Sequence, residues 1–221
     1  MTERVRPVLS LVVATKNRGK LAELRALIGS LPIEVLSLTE GVGPLEIDED
    51  QRTFVGNARK KAEAVAKAAH AVVLADDSGL EVDALGGQPG VRSARFAGEG
   101  ATDAENNAEL LRRLEGVDPE DRTARFRCAI VLVDPWADEG ERSREFEGSC
   151  EGCIALSPRG TGGFGYDPLF IVRGSDRTFA EHAEDEKNLI SHRARAFASV
   201  MPELERLVAA RVTDALAALA R

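Results

Sequence analysis

The stretch Val8-Leu9-Ser10-Leu11-Val12-Val13-Ala14, followed at once by Thr15-Lys16-Asn17-Arg18-Gly19-Lys20, decides the fold class. Its first half is a short β-branched apolar run of the kind that forms a strand buried on both faces. Beyond the loop, Leu21, Leu24, Leu27 and Ile28 repeat at helical spacing, and Gly29 stands where a left-handed C-cap is expected. A buried strand that passes through a short loop into a helix is a unit of an α/β protein. The loop lies at a strand's carboxyl end and a helix N-terminus, where free N–H groups and the helix dipole favour an anion. Lys16, Arg18 and Lys20 gather positive charge there, and the lone Gly19 is too little glycine for a Walker loop. Two readings stay open: Asn17 caps the helix beside a solvated cationic face, or the loop holds a phosphate.

Outward from this unit, a second helix is expected from Thr53 to Ala69, with Thr53 as N-cap and Phe54, Ala58, Ala62, Val65 and Ala69 along its apolar stripe. A strand over Ala71 to Ala75 follows and ends in Asp76-Asp77-Ser78-Gly79, and Leu85 to Gly90 reads as irregular loop. Thr102-Asp103-Ala104-Glu105 is a capping box that opens a helix through Leu110, Leu111 and Leu114, stopped by Gly116. Arg125 to Asp134 and Ser143 to Leu156 form an antiparallel hairpin around the turn-rich Pro135 to Gly140. Two helices, Ala183 to Val200 and Pro202 to Ala220, close the chain. The sheet is therefore mixed. No repeat or linker divides residues 1–221, which read as one domain.

A chain of 221 residues buries roughly 70% of its unfolded surface, so a full core is available. Apolar residues at 43% and charged residues at 30% exclude disordered, collagenous and disulfide-scaffold classes. The net charge of −8 argues against adhesion to nucleic acid or an anionic membrane, and no apolar run is long enough to span a bilayer. Three cysteines cannot all pair with one another, and Met1 to Pro7 lacks a signal-peptide core, so a reducing cytoplasm is expected. Cys150-x-x-Cys153 has no second pair or nearby histidine to make a zinc site.

Chemistry concentrates elsewhere. Two adjacent carboxylates, Asp76 and Asp77, directly after an apolar strand are costly to bury without a cation or several donors. Successive strand residues point to opposite faces, so one of the pair enters any given site. Lys61, with Asn57 one turn before it, is a candidate partner, and Glu46-Ile47-Asp48-Glu49-Asp50 offers further carboxylates or a solvated loop. Gly160 to Pro168 places four glycines and two of the scarce aromatics, Phe164 and Tyr166, in one loop. That suits stacking on a flat heterocycle, or a tight turn whose rings plug the core. Lys187 and Ser191-His192-Arg193 add donors near the start of a late helix.

Taken in order, Thr15-x-Asn17-x-x-Lys20, Glu49 before Thr53-Phe54-x-x-Asn57-Ala58-x-x-Lys61-Ala62, Ala75-Asp76-Asp77-Ser78-Gly79-Leu80, Gly162 to Pro168 and Ser191-His192-Arg193 closely resemble the inosine/xanthosine triphosphate pyrophosphatase family. The resemblance spans most of the chain. It implies an elongated mixed β-sheet flanked by helices, two lobes with a nucleotide cleft between them, and a homodimer. It also implies Mg²⁺-dependent cleavage of the purine nucleoside triphosphates ITP, dITP and XTP to the monophosphate and pyrophosphate. Carried over by position, Thr15, Lys16, Asn17, Arg18, Gly19, Lys20 and Lys61 would meet the triphosphate, and Asp77 would be metal ligand and general base, with Glu49 assisting at the metal. Ser78, Phe164, Gly165, Tyr166, Asp167, Lys187, His192 and Arg193 would hold the nucleotide. After Glu49 the chain reads Asp50-Gln51-Arg52, where that family often has a glycine. A relative acting on modified pyrimidine triphosphates and a non-catalytic nucleotide sensor are the alternatives, and the presence of both Asp77 and Lys61 argues against the sensor.

Overall fold

A computed structural model describes residues 8–29 and 31–219, so the readings of Met1 to Pro7 and of Ala220 lie outside the described residues. The opening unit forms as expected, with strand β1 at Leu9–Val13 and helix α1 at Arg18–Ile28. Asn17 caps α1, its side-chain oxygen accepting from the Lys20 N–H. Gly29 does end the helix with positive φ, but at φ 60° and ψ −122° it lies outside the left-handed region. Strand β2 (Ile33–Ser37) and the one-turn helix α2 (Leu38–Gly41) follow. Sequence reasoning missed both, because β2 is a half-buried five-residue edge strand with no clean alternation.

Helix α3 (Phe54–Ala69) has the expected Thr53 cap. Strand β3 then runs from Val72 to Val82, straight through the aspartate pair at which a strand end was expected. The reason is the partner strand β4 (Thr123–Val133), which pairs antiparallel with β3 from Val73↔Val133 to Val82↔Ala124 and continues the ladder past the charges. The capping box of Thr102 and Glu105 opens helix α4 at Asp103–Arg113. Strand β5 (Ser143–Ile154) completes the expected hairpin with β4, and a three-residue strand, β6 (Phe170–Val172), pairs with its far end. Near the C-terminus the helix break falls at Ser191, not Pro202. Helix α5 covers Glu184–Ile190, and α6 covers His192–Leu219 with Pro202 inside it. Val200, Leu204 and Leu207, buried on either side of Pro202, hold α6 against the sheet despite the missing N–H.

The single described sheet has the order β2-β1-β3-β4-β5-β6, parallel around β1 and antiparallel beyond β3. Alternation along β3 divides the core. Val72 and Leu74 face α1 and α6, burying against Leu24, Ile28 and Phe197. Val73 and Ala75 face α3, against Ala58, Ala62 and Val65. Beyond Gly79 the same strand enters a second lobe, where Leu80 and Val82 join Leu110 and Leu114 with Phe126, Phe170 and Phe179. The α/β class, the mixed sheet with flanking helices and the two lobes match the expectation.

Helix α6 comes so close to β5 that a Cβ on Gly148 would overlap the backbone of His192 and Ala196. Overpacking of this kind costs about 1–3 kcal/mol, so Gly148→Ala should lower the urea midpoint accordingly. An unchanged midpoint would show that α6 shifts freely on the sheet.

Candidate active site

The period of two along β3 sends Asp76 and Asp77 to opposite faces, and each meets a different set of partners. Asp76 points to the α1 and α6 side, where its Oδ2 contacts Lys20 Nζ at 2.9 Å and Arg193 Nε at 3.4 Å. Burial opposes its ionisation, but Lys20, Arg193 and Lys61 outweigh burial and hold its carboxyl well below the usual range. Asp77 points to the α3 side, where Asn57 Nδ2 donates to Oδ2 at 2.9 Å and the Ser78 N–H to Oδ1 at 3.0 Å. Lys61 Nζ stands 3.8 Å away. Burial, aided by the nearby Glu49, wins over these donors and raises the Asp77 carboxyl above its ordinary value.

Lys61 joins the two acids. It donates to Glu49 Oε1 at 2.7 Å and to the backbone carbonyl of Asp76 at 2.8 Å. Burial draws its pKa down, yet Asp77, Asp76 and Glu49 together leave it raised. Glu49 is lowered, burial being overcome by Lys61, Lys20 and Arg95. Asn57, placed by its spacing on the Lys61 face but given no partner of its own, has its amide fixed at both ends: Oδ1 accepts from Gln51 N–H at 2.9 Å while Nδ2 serves Asp77. Arg95, also missed, donates to the Glu49 carbonyl at 2.9 Å.

On the other face Glu23, again not foreseen, bonds Arg193 and lies 3.3 Å from Lys187 Nζ. Lys187 also reaches Asp167 Oδ2 at 2.7 Å, and Arg193 donates to Ser78 Oγ at 3.1 Å. Burial raises the Asp167 carboxyl despite Lys187. The loop's two rings divide its two readings between them. Phe164 is half-buried at the cleft, with Lys187 Nζ 4.7 Å and Arg193 Cζ 5.7 Å from its centroid. Tyr166 plugs the second lobe, its hydroxyl donating to the Ser93 carbonyl at 2.8 Å. His192 stacks on Phe126 at 4.7 Å, and burial beside Arg193, Lys187 and Lys20 pushes its pKa well down.

Most of these groups line one cleft of about 360 Å³, while Glu23, Asn57, Asp76 and Arg95 do not line it themselves. Of the residues singled out from sequence, Thr15, Lys16, Asn17, Lys20, Glu49, Lys61, Asp77, Ser78, Phe164 to Asp167, Lys187, His192 and Arg193 line it. Arg18 and Gly19 do not: Arg18 is exposed on the first turn of α1, and Gly19 backs the Phe164 ring, which a Cβ would approach to 3.3 Å. Lys20, Lys61, Lys187 and Arg193 are all already paired with carboxylates. An incoming polyanion therefore needs further positive charge. Asp77 and Glu49 are hard oxygen donors beside the cleft, and the raised pKa of Asp77 marks a carboxylate short of compensation, which suits a divalent ion such as Mg²⁺.

A family model described as the Ham1 family matches residues 11–203. The chain is 51% identical over 199 residues to a dITP/XTP pyrophosphatase of Desulforamulus reducens, covering 90% of this chain and 97% of that one. It is 50% identical over 194 residues to the dITP/XTP pyrophosphatase of Bacillus subtilis, covering 88% and 96%. A HAM1 protein from Coxiella burnetii superposes with a TM-score of 0.81 at 43% identity, covering 90% of this chain and 99% of that one.

The two aspartates should respond oppositely to neutralisation. A lowered folded pKa means that ionised Asp76 stabilises the fold above its unfolded pKa, a contribution lost as pH falls through the folded value. A raised folded pKa means that Asp77 favours the fold only while protonated, and that contribution is lost as pH rises through the folded value. At neutral pH, Asp76→Asn should cost about 3–5 kcal/mol by leaving Lys20 and Arg193 without their shared anion. For Asp77→Asn, removal of a disfavoured charge offsets a lost hydrogen bond, and the cost should stay under about 1 kcal/mol. Urea unfolding of both variants measures this, and equal losses would contradict it.

Proposed function

The chain belongs to the Ham1 family, and from that premise we propose that it is a nucleoside-triphosphate pyrophosphatase that hydrolyses ITP, dITP and XTP to the monophosphate and pyrophosphate. The observation that carries the reading is the placement of Asp77, Lys61 and Glu49 in one cleft with Phe164 and its cations, Asp77 being held from behind by Asn57. The nucleotide lies with its base at Phe164 and its phosphates toward Lys20, Lys61 and the exposed Lys16. Asp77 and Glu49 would hold Mg²⁺, which when bound offsets phosphate charge and polarises the anhydride.

Asp77 is the base. Its carboxylate takes a proton from water as the water oxygen bonds to phosphorus and the α–β anhydride bond breaks, the electron pair leaving with pyrophosphate. Asn57 and the Ser78 N–H fix that carboxylate, and Lys61 balances it against Glu49. At the other end Lys187 and Arg193 carry only donors. A 6-oxo purine stacked on Phe164 offers them an acceptor, whereas adenine presents a 6-amino donor. The resemblance further supports a Mg²⁺-dependent homodimer, and three cysteines that are free, two of them buried, suit a reducing cytoplasm. Light scattering at twice the monomer mass would support the dimer. The net charge of −8 leaves nucleic acid and membrane out of the proposed partners.

Pyrophosphate release should favour ITP, dITP and XTP over ATP by at least ~100-fold in kcat/KM, within what an unpaired buried polar group can enforce, and over GTP, which shares the 6-oxo group, by a second criterion at the 2-amino group that hypoxanthine lacks and xanthine replaces with an acceptor. Comparable values for ATP and ITP would refute the assignment. Asp77→Asn should lower kcat about 10³-fold, the scale of general-base catalysis. As the general base, Asp77 must be ionised, so activity should fall with decreasing pH as its carboxylate is protonated. An acid limb that persists unchanged in Asp77→Asn would assign the base to another group.

A further inference from the structure

Helix α4 contributes no ion pair to the Asp77 cluster, yet its first two turns fasten two walls of the cleft. Asp103 Oδ2 accepts from the Gly165 N–H at 2.7 Å, and one turn later Asn107 Nδ2 donates to the Gly165 carbonyl at 2.9 Å. Both backbone groups of one residue are thus held by two side chains at i and i+4 of one helix. Gly165 has φ +61°, a conformation that side-chained residues seldom adopt, so the loop reverses there and needs external fixing. Between these two residues, Asn106 donates to the Ala94 carbonyl at 3.2 Å and accepts from the Ala97 N–H at 2.9 Å. The segment it ties down carries Ser93, whose carbonyl receives the Tyr166 hydroxyl. The side chains of Asn106 and Asn107 are both buried.

We propose that Asp103 and Asn107 are positioning residues that set the base-binding end of the cleft by holding Gly165 and, through it, the ring of Phe164. The inference rests on the proposed function and extends it by assigning a specificity role to a helix outside the catalytic cluster. Phe164 is the chain neighbour of Gly165, and Gly165 is the point at which α4 grips that loop. With the grip released, Phe164 keeps its N–H bond to Asp167 Oδ2 at 2.9 Å but loses half of what fixes its ring against Lys187 and Arg193. The Asp77 cluster, on β3 and α3, keeps its own hydrogen bonds.

The test is a split between binding and turnover. Asn107→Asp is isosteric but turns the donor toward the Gly165 carbonyl into an acceptor. It should raise KM for ITP about 10-fold, the equivalent of one lost buried hydrogen bond, leave kcat within threefold, and narrow the ITP to GTP preference. Asp103→Ala, at an exposed position that does not threaten folding, should raise KM about 3- to 5-fold on the scale of one hydrogen bond. Asp103→Asn, which retains an acceptor for the Gly165 N–H, should recover most of that loss. Calorimetric Kd values for ITP in EDTA should follow the KM order without relying on turnover. Binding of ITP without hydrolysis would overturn the proposed reaction while the Kd series still reads the grip. Wild-type KM, Kd and preference in Asn107→Asp and Asp103→Ala would overturn the positioning role, as would a fall in kcat with KM unchanged, or no recovery in Asp103→Asn.

Discussion

Two consecutive carboxylates buried in the middle of a long strand impose a demand that the surrounding elements answer. A strand cannot turn both side chains the same way, so compensation has to come from both faces of the sheet. On one face Lys20 from α1 and Arg193 from α6 converge on Asp76, and on the other Asn57 and Lys61 from α3 converge on Asp77. The two halves are not equivalent. Asp76 is overcompensated and acts as a structural anion, whereas Asp77 has neutral donors close by and a cation only at a distance. That difference leaves one carboxylate available for chemistry while its neighbour fixes the cations.

Much of this was legible in the chain. The strand and helix around Thr15 to Lys20, the Thr53 and Thr102 caps and the β4–β5 hairpin follow from local signals that tertiary contacts reinforce. The extent of β3 was not legible, because local polarity at Asp76 reads as a strand end and only the distant β4 supplies the ladder that carries it on. Pro202 misled for the same reason: a residue that usually ends a helix is outweighed by burial on either side of it. Alternation predicted that Asp76 and Asp77 would diverge, but no spacing rule identified Glu23 as the anion that Lys187 and Arg193 share. Glu23 is more than 160 residues from both in the chain and meets them only in the fold.

The scarce aromatics show how position settles between readings that composition leaves open. Phe164 and Tyr166 are two residues apart on a glycine-rich loop, and the loop's reversal sends one ring to the cleft and the other into the second lobe. Phe126 does both on one ring, lining the cleft and stacking on His192 while packing edge-to-face with Phe170 and stacked with Phe179. The Phe164 end of the cleft is thus continuous with the core of the second lobe, and the Lys61 end with the α3 side of the first. A ligand that bridges them contacts both lobes through rigid elements, and the stability of each lobe is spent on orientation at the junction.

Electrostatics then account for why the site lies at that junction and not on a lobe's surface. Four cations and five carboxylates in and behind a low-dielectric cleft interact more strongly than they would in water, so their arrangement is rigid before anything binds. Preorganisation of this kind favours a transition state over a substrate, because dipoles and charges need not reorient as phosphoryl charge develops. It also carries a cost, visible at Asp77, whose ionised form the folded protein disfavours. A carboxylate held in that condition gains by accepting a proton from water or by meeting a cation, and a general base beside a metal-binding acid requires both tendencies in one group.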